Sequence, residues 1–223
     1  MVSNYIFLGF PLTEDSPSPP AIPPVQLSSF MQMPEDEANV TLIKLTSHTG
    51  THLDTPGHVI NDGIRLTDFG PGDFVFHRPV VIDLPLEDAA IVQPDSLEPF
   101  VEVGQEADIL LFRFGYGPVR RADPKRFSTR SPGFGVESAQ FLRDNFPNLK
   151  AIGMDVPSLS TIEYLDQTFH AHHALLGGAG RKFIVIEDMN LEQDLSSLNS
   201  VFVAPLLVDK IDGCPCTVIG VIG

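Results

Sequence analysis

The feature that most constrains this chain is a series of short β-branched apolar runs separated by segments dense in proline and glycine. Residues 4–10, 40–46, 79–84, 107–114, 149–155 and 182–188 read as strands, with one or two more between 201 and 222. The run 107–114 reads as a central strand, because only Asp108 and Arg113 interrupt its apolar character. Residues 136–146 open on Glu137-Ser138, place Ala139, Leu142, Arg143 and Phe146 at helical spacing, and stop at Pro147, which predicts a surface helix. A helical turn or two is expected around 95–102, and 161–176 reads as mixed with helical turns. The stretch 115–133, punctuated by Gly115, Gly117, Pro118, Pro124, Pro132 and Gly133, reads as a long loop. Short strands interleaved with helices and large loops predict an α/β chain with a mixed sheet. No repeat or linker breaks the pattern, so a single domain over 1–223 is expected. Within it, residues 13–37 carry Pro17, Pro19, Pro20, Pro23, Pro24 and Pro34 and end in Glu35-Asp36-Glu37. That segment predicts an extended arm or loop: a free tail, or a strap over a partner subunit or a site mouth.

Charge narrows the function classes. The 223 residues hold 29 acidic and 14 basic side chains, a net charge of −15. Binding to a nucleic-acid backbone needs a basic face, and an anionic membrane surface repels such a chain, so neither partner is expected. No apolar stretch is long enough for a spanning helix. The two cysteines, Cys214 and Cys216, would point to opposite faces of a strand, and no disulfide framework can be built from them. The N-terminal MVSNYIFLGFPL lacks a basic leader region. A reducing, cytoplasmic compartment is therefore expected.

Placement of the histidines carries the chemistry. Six of the seven lie in two clusters, at 48–58 and 170–173. In SHTGTHLDTPGHV, residues 47–59, His48, His52, Asp54 and His58 offer four metal-binding side chains within eleven positions. Thr49, Gly50, Thr51, Pro56 and Gly57 argue against a helix here and for a strand meeting a tight loop, with Gly50 free to take angles other residues avoid. In an extended segment His52 and Asp54 share a face and can grip one ion. Imidazole and carboxylate together suit zinc, manganese or iron. His170, His172 and His173 precede the apolar run that ends in Glu187-Asp188. An acid at the mouth of a buried strand is expensive unless a cation neutralises it, which draws notice to Glu187.

HTGTHLDTPGH resembles the HxGTHxDxPxH signature of the cyclase-like metal-dependent hydrolases, which include bacterial-type kynurenine formamidase and isatin hydrolase. LLFRFGYG (110–117), IGMDVPSLS (152–160) and AHHALLG followed by VIED resemble further family segments, in the expected order from about residue 40 to 190. The resemblance implies a single α/β domain of β/β/α layers around a mixed sheet, the swivelling-domain arrangement, typically as a homodimer with the site near the subunit contact. It implies one or two divalent ions, zinc or manganese. His48, His52 and Asp54 would bind one; Asp54 and Glu187 would bridge to a second, completed by His172, which is preferred to His173 because the family's ligand precedes a His-Ala pair. His58 would be the acid/base residue. Two departures bear on the substrate: the chain has no tryptophan, and Ser160 stands where the family usually carries aspartate.

Such a site suits hydrolysis of a C–N amide bond in a small N-acyl aromatic amine or cyclic amide. His58 would take the proton of the attacking water and return it to the leaving nitrogen, a task suited to imidazole near neutral pH. Hydrolysis of a lactone or other ester, and cyclisation or dehydration at the same site, are the alternatives within the enzyme class. A metal-binding protein without turnover is the alternative outside it, and the presence of His58, which is not needed as a ligand, favours catalysis. Ser158 and Asp155 are candidates to orient ligating imidazoles, with a structural cap equally open for Asp155. Arg113 is expected to hold the site's loops through a salt bridge or, less so, to reach a substrate carboxylate. Phe30, Phe69, Phe74 and Phe76 are expected in the core more than around a pocket, and Cys214-Pro215-Cys216 in a terminal strand.

Overall fold

Residues 4–178 and 182–223 are described in this computed structural model, and thirteen strands and five α-helices follow one another along them. The first half runs β1 (Asn4–Phe7), β2 (Gln26–Met31), β3 (Val40–Lys44), β4 (His52–Asp54), β5 (Val75–Phe76), β6 (Pro79–Asp83), β7 (Ile91–Val92) and α1 (Val101–Gly104). The centre runs β8 (Ile109–Arg113), α2 (Gly117–Ala122), α3 (Pro124–Arg130), β9 (Gly133–Phe134), α4 (Val136–Asn145) and β10 (Ala151–Met154). Last come α5 (Leu165–Leu176), β11 (Ile184–Glu187), β12 (Leu198–Pro205) and β13 (Gly213–Ile222).

Among the described residues, nine strands make one mixed sheet in the order β5-β12-β13-β4-β11-β10-β8-β6, with β1 also on β13. The strands β6, β8, β10 and β11 are parallel, and β4 is antiparallel to both of its neighbours. The far strand β6 returns to lie against β12, so the sheet curls toward closure.

Side-chain alternation along the central strands sorts them into two cores. Leu110, Phe112, Ile152, Met154 and Val185 face the helices, packing with Leu142 of α4 and with Ala171, Leu175 and Leu176 of α5. Ile109, Leu111, Ala151, Ile184 and Ile186 face the other way, onto Phe76, Val201, Val203 and Val218 of the curled strands. The layers are therefore β/β/α. This alternation also decides where charge goes. Leu53 belongs to the sheet-facing core, so His52 and Asp54 point toward the helices; Glu187 follows Val185 by two and points the same way.

Three expectations change. The stretch 115–133 is not a loop: it holds α2 and α3. Pro118 and Pro124 sit in the first turns of these helices, where a missing N–H costs nothing, and Asp123 caps α3 by accepting the Arg126 amide. The segment 13–37 contains a strand, because no proline falls between Pro24 and Pro34; there β2 pairs with β3. Accordingly 40–46 joins this separate hairpin rather than the main sheet, and its side chains at 40–44 are exposed on both faces.

The remaining side chains singled out above fall into place. Arg113 pairs with Asp83 and donates to the carbonyl oxygens of Leu191 (3.1 Å) and Gln193 (3.3 Å), a structural role. Asp155 accepts the amides of Phe114, Gly115 and Tyr116 (2.7–3.0 Å), so it caps the turn after β8. Phe69, Phe74 and Phe76 are core residues, Phe30 is 72% exposed, and Cys214 and Cys216 are free thiols in β13. No helix among the described residues is long and apolar enough to cross a membrane.

Candidate metal centre

The register of three strands assembles the first half of the site. Glu187 on β11 lies opposite His52 on β4, and Gly213 on β13 lies opposite Asp54. A Cβ at 213 would meet the Leu53 carbonyl oxygen at 2.4 Å and the His48 ring at 3.1 Å, so only glycine lets β13 come this close. The loop before β4 turns at Gly50, whose φ of +62° is the left-handed region glycine enters freely, and this brings His48 back beside Asp54. His58 ends a 3₁₀ turn over Pro56–His58.

Helix α5 supplies the rest. Thr168, Ala171, His172, Leu175 and Leu176 form its buried stripe at helical spacing, which carries His172 inward and leaves His170 and His173 exposed. His172 Nε2 lies 3.4 Å from Glu187 Oε1 and 3.8 Å from Asp54 Oδ2. His52 Nε2 lies 3.2 Å from Glu187 Oε2 and 3.5 Å from Asp54 Oδ1, and His48 Nδ1 lies 2.7 Å from the same Asp54 oxygen. His52, Asp54, His172 and Glu187 are each at most 3% exposed.

The hydrogen bonds fix which ring atoms face the carboxylates. His52 Nδ1 donates to the Gly50 carbonyl oxygen and His172 Nδ1 to that of Thr168, both at 2.8 Å. Each Nε2 is thereby turned toward Asp54 and Glu187, and His52 Nε2 has no hydrogen-bond partner although buried. A buried carboxylate costs several kcal/mol unless a positive charge answers it. In the metal-free protein the imidazoles answer it. Burial opposes charging His48, yet Asp54 and Asp212 on either side hold its pKa at about 10. Burial likewise opposes the ionised Asp54 and Glu187, but the surrounding imidazoles draw both below the ordinary carboxylate range. A divalent cation would suit the same groups: the orphaned Nε2 of His52, the Nε2 of His172 and the two carboxylates are residues that would hold it. The residues present fit such an ion. Ligand atoms of His48, His52 and Asp54 lie within 4.8 Å of one another, as do those of Asp54, His58 and His172.

A sequence model of the family described as putative cyclase matches residues 6–161. The chain belongs to the putative cyclase family. Among its relatives, a kynurenine formamidase of Bacillus cereus is 27% identical over 216 residues, covering 96% of this chain and 95% of that one. Isatin hydrolase A of Ralstonia solanacearum superposes with a TM-score of 0.80 at 20% identity, covering 99% of this chain and 92% of that one. A structure described as a potential metal-dependent hydrolase with cyclase activity gives a TM-score of 0.75 at 22% identity, covering 100% of this chain and 99% of that one. These two structural likenesses establish the fold.

In this cyclase-family chain the His/Asp/Glu cluster floors a cavity of about 240 Å³. Its walls are Pro157, Ser158, Ile162 and Phe169, and its roof is Pro19, Pro20, Ala21 and Ile22 from the proline-rich segment. Ser158 thus lines the cavity, and the pocket aromatic is Phe169 rather than any of the four phenylalanines singled out from the sequence.

One residue of the site has no counterpart among the sequence candidates. Asp212 Oδ2 lies 2.8 Å from His48 Nε2 and 3.1 Å from His58 Nδ1. Hydrogen bonds from these two rings draw its carboxyl well below the ordinary range, against burial. It stands just before β13, at the mouth of a strand.

Proposed function

We propose that this chain is a metal-dependent hydrolase that cleaves a C–N amide bond of a small N-acyl aromatic amine or a cyclic amide, in the manner of kynurenine formamidase. The carrying observation is the buried His52 Nε2, without a hydrogen-bond partner, among two carboxylates and a second imidazole at the floor of an apolar-roofed cavity. His48, His52, Asp54, His172 and Glu187 are the residues that would hold one or two zinc or manganese ions. A cation there supplies a Lewis acid that acidifies water and polarises a carbonyl.

The chain's own residues do the rest. His58 Nδ1–H donates to Asp212, which leaves Nε2 to take the water's proton and return it to the leaving nitrogen. Asp212 holds that tautomer. Pro19, Pro20, Ile22, Ile162 and Phe169 exclude water and pack against a flat apolar ring. A cavity of about 240 Å³ lies just below the roughly 300–1,000 Å³ typical of small-molecule sites, which suits a compact substrate.

The proposal extends to assembly as a homodimer. Leu27, Phe30, Leu42 and Ile43 are exposed on the β2–β3 hairpin, and a second copy of this chain would cover them. A reducing compartment suits the two free thiols.

Turnover of N-formylkynurenine, isatin and simple lactones by zinc- and manganese-loaded protein tests the reading. Cleavage of an amide substrate that is lost in His58→Ala supports it. Cleavage of lactones alone shifts it to ester hydrolysis, and no substrate cleaved faster by wild type than by His58→Ala defeats the acid/base role.

A further inference from the structure

Behind the His52–Glu187 pair runs a closed circuit of four residues, Phe10, Thr51, Arg120 and Asp188. Thr51 and Asp188 are the chain neighbours of the pair, and Thr51 Oγ1 donates to the Asp188 carbonyl oxygen at 2.6 Å. The Asp188 carboxylate accepts two hydrogen bonds from Arg120, from Nε at 2.6 Å and Nη2 at 2.8 Å. The Arg120 guanidinium lies over the Phe10 ring, 3.9 Å from its centroid. The Phe10 amide closes the circuit by donating to Thr51 Oγ1 at 2.9 Å.

Asp188 is the exacting member. Its φ is +54°, in the left-handed region that non-glycine residues rarely enter, and its amide donates to the Val156 carbonyl oxygen at 2.7 Å. Glu187 is the last residue of β11; its Oε1 accepts the Leu159 amide at 2.6 Å, and residue 188 sets how its backbone leaves the strand. Asp188 is 2% exposed and burial pushes its carboxyl up, against which both of its oxygens accept hydrogen bonds from Arg120. The adjacent Arg121 provides the contrast. It pairs with Glu192 in the open, with its side chain 58% exposed.

We propose that Arg120 is a positioning residue of the metal centre: through Asp188 it fixes the Glu187 carboxylate against His52 without touching either. This inference rests on the metal-centre reading above.

Calorimetric titration of Zn(II) and of Mn(II) into chelator-treated protein tests it in Arg120→Met, Arg120→Lys, Arg121→Met and the Arg120→Met/Asp188→Gly double variant. Arg120→Met should raise Kd by about 10- to 100-fold, the range for partners that orient metal ligands. Arg120→Lys should recover part of the loss, and Arg121→Met should leave Kd within about twofold of wild type, since an exposed pair contributes little. Glycine at 188 accepts the left-handed angle without a side chain to anchor, so the double variant should bind more tightly than Arg120→Met alone. The His52 imidazole ¹⁵N resonance of the metal-free protein, read beside its melting temperature, supplies a second measure. It should move in Arg120→Met and stay in Arg121→Met.

A melting temperature that falls while Kd and the His52 resonance stay at wild-type values overturns the proposal. Should wild type itself take up no metal, the metal-centre reading falls, and an unmoved His52 resonance then sinks the positioning role separately. Should Arg120→Met not fold, Arg120→Gln takes its place in the comparison: a wild-type Kd and an unmoved His52 resonance in that variant overturn the proposal.

Discussion

Strands β4 and β11 carry His52, Asp54 and Glu187 into the interior, while β2 and β3 carry Leu27, Phe30, Leu42 and Ile43 into the open. Both are antiparallel pairs of short strands, and each inverts the ordinary placement of its side chains. The buried pair lies inside a sheet walled by two hydrocarbon cores, where charge is expensive and must be answered at once. The exposed pair lies in a hairpin outside that sheet, where hydrocarbon in water is the expense. On the reading proposed above, something from outside the chain completes each region, a cation for one and an apolar surface for the other. The two needs are separable, and variants should separate them.

The largest effect is expected from cutting the charge cluster itself. Asp54→Ala or Glu187→Ala should abolish metal retention and bring turnover to background, read by elemental analysis and assay, with the oligomeric state unchanged. A variant that keeps its metal would remove that carboxylate from the centre. His58→Ala should come next, lowering kcat by about 10²- to 10⁴-fold with metal content intact. Loss of metal in that variant would make His58 a ligand instead.

Protonation gives a finer test on chelator-treated protein. His48 titrates near 10 when folded against 6.5 for a free histidine, so its contribution to stability is full below pH 6.5 and lost as pH rises toward 10. Asp54, Glu187 and Asp212 are shifted down, so theirs is full above the ordinary carboxylate range and lost as pH falls below it. Thermal melts of the metal-free protein should therefore be highest at mildly acidic pH and fall on both sides. Metal saturation should flatten the alkaline fall, because the cation replaces the imidazolium proton.

On the hairpin, Leu42→Asp with Ile43→Asp should shift the protein toward monomer in sedimentation and leave metal content at the wild-type level. Metal lost together with the dimer would tie the two regions into one unit. The smallest effect is expected at Arg113→Met, whose pair with Asp83 is partly exposed: about 1 kcal/mol of stability in denaturant titration, with turnover unchanged.

Much of this was legible in the residues. The apolar runs mark the central strands because a strand between two cores needs apolar residues at successive positions, and Glu187 stands out as an acid ending such a run. The spacing of His52 and Asp54 places both on one face once the segment is a strand. Helix α5 separates His172 from His173 by its buried stripe, a periodicity available in the sequence once the helix is recognised. Asp212 was harder, since it meets His48 and His58 only through the pairing of β13 with β4 from a distant part of the chain. Proline misleads in two places: Pro118 and Pro124 start helices, and β2 fits between Pro24 and Pro34. The circuit of Phe10, Thr51, Arg120 and Asp188 depends on four separate segments and leaves no local signature.

The proposed chemistry depends on the buried imidazoles and carboxylates holding a divalent ion. Elemental analysis of protein purified without chelator, and again after loading with Zn(II) or Mn(II) and removal of the excess, tests it most directly. One or two ions per chain, lost in Asp54→Ala, is the predicted result. A metal content near zero in folded wild type, before and after loading, would contradict it.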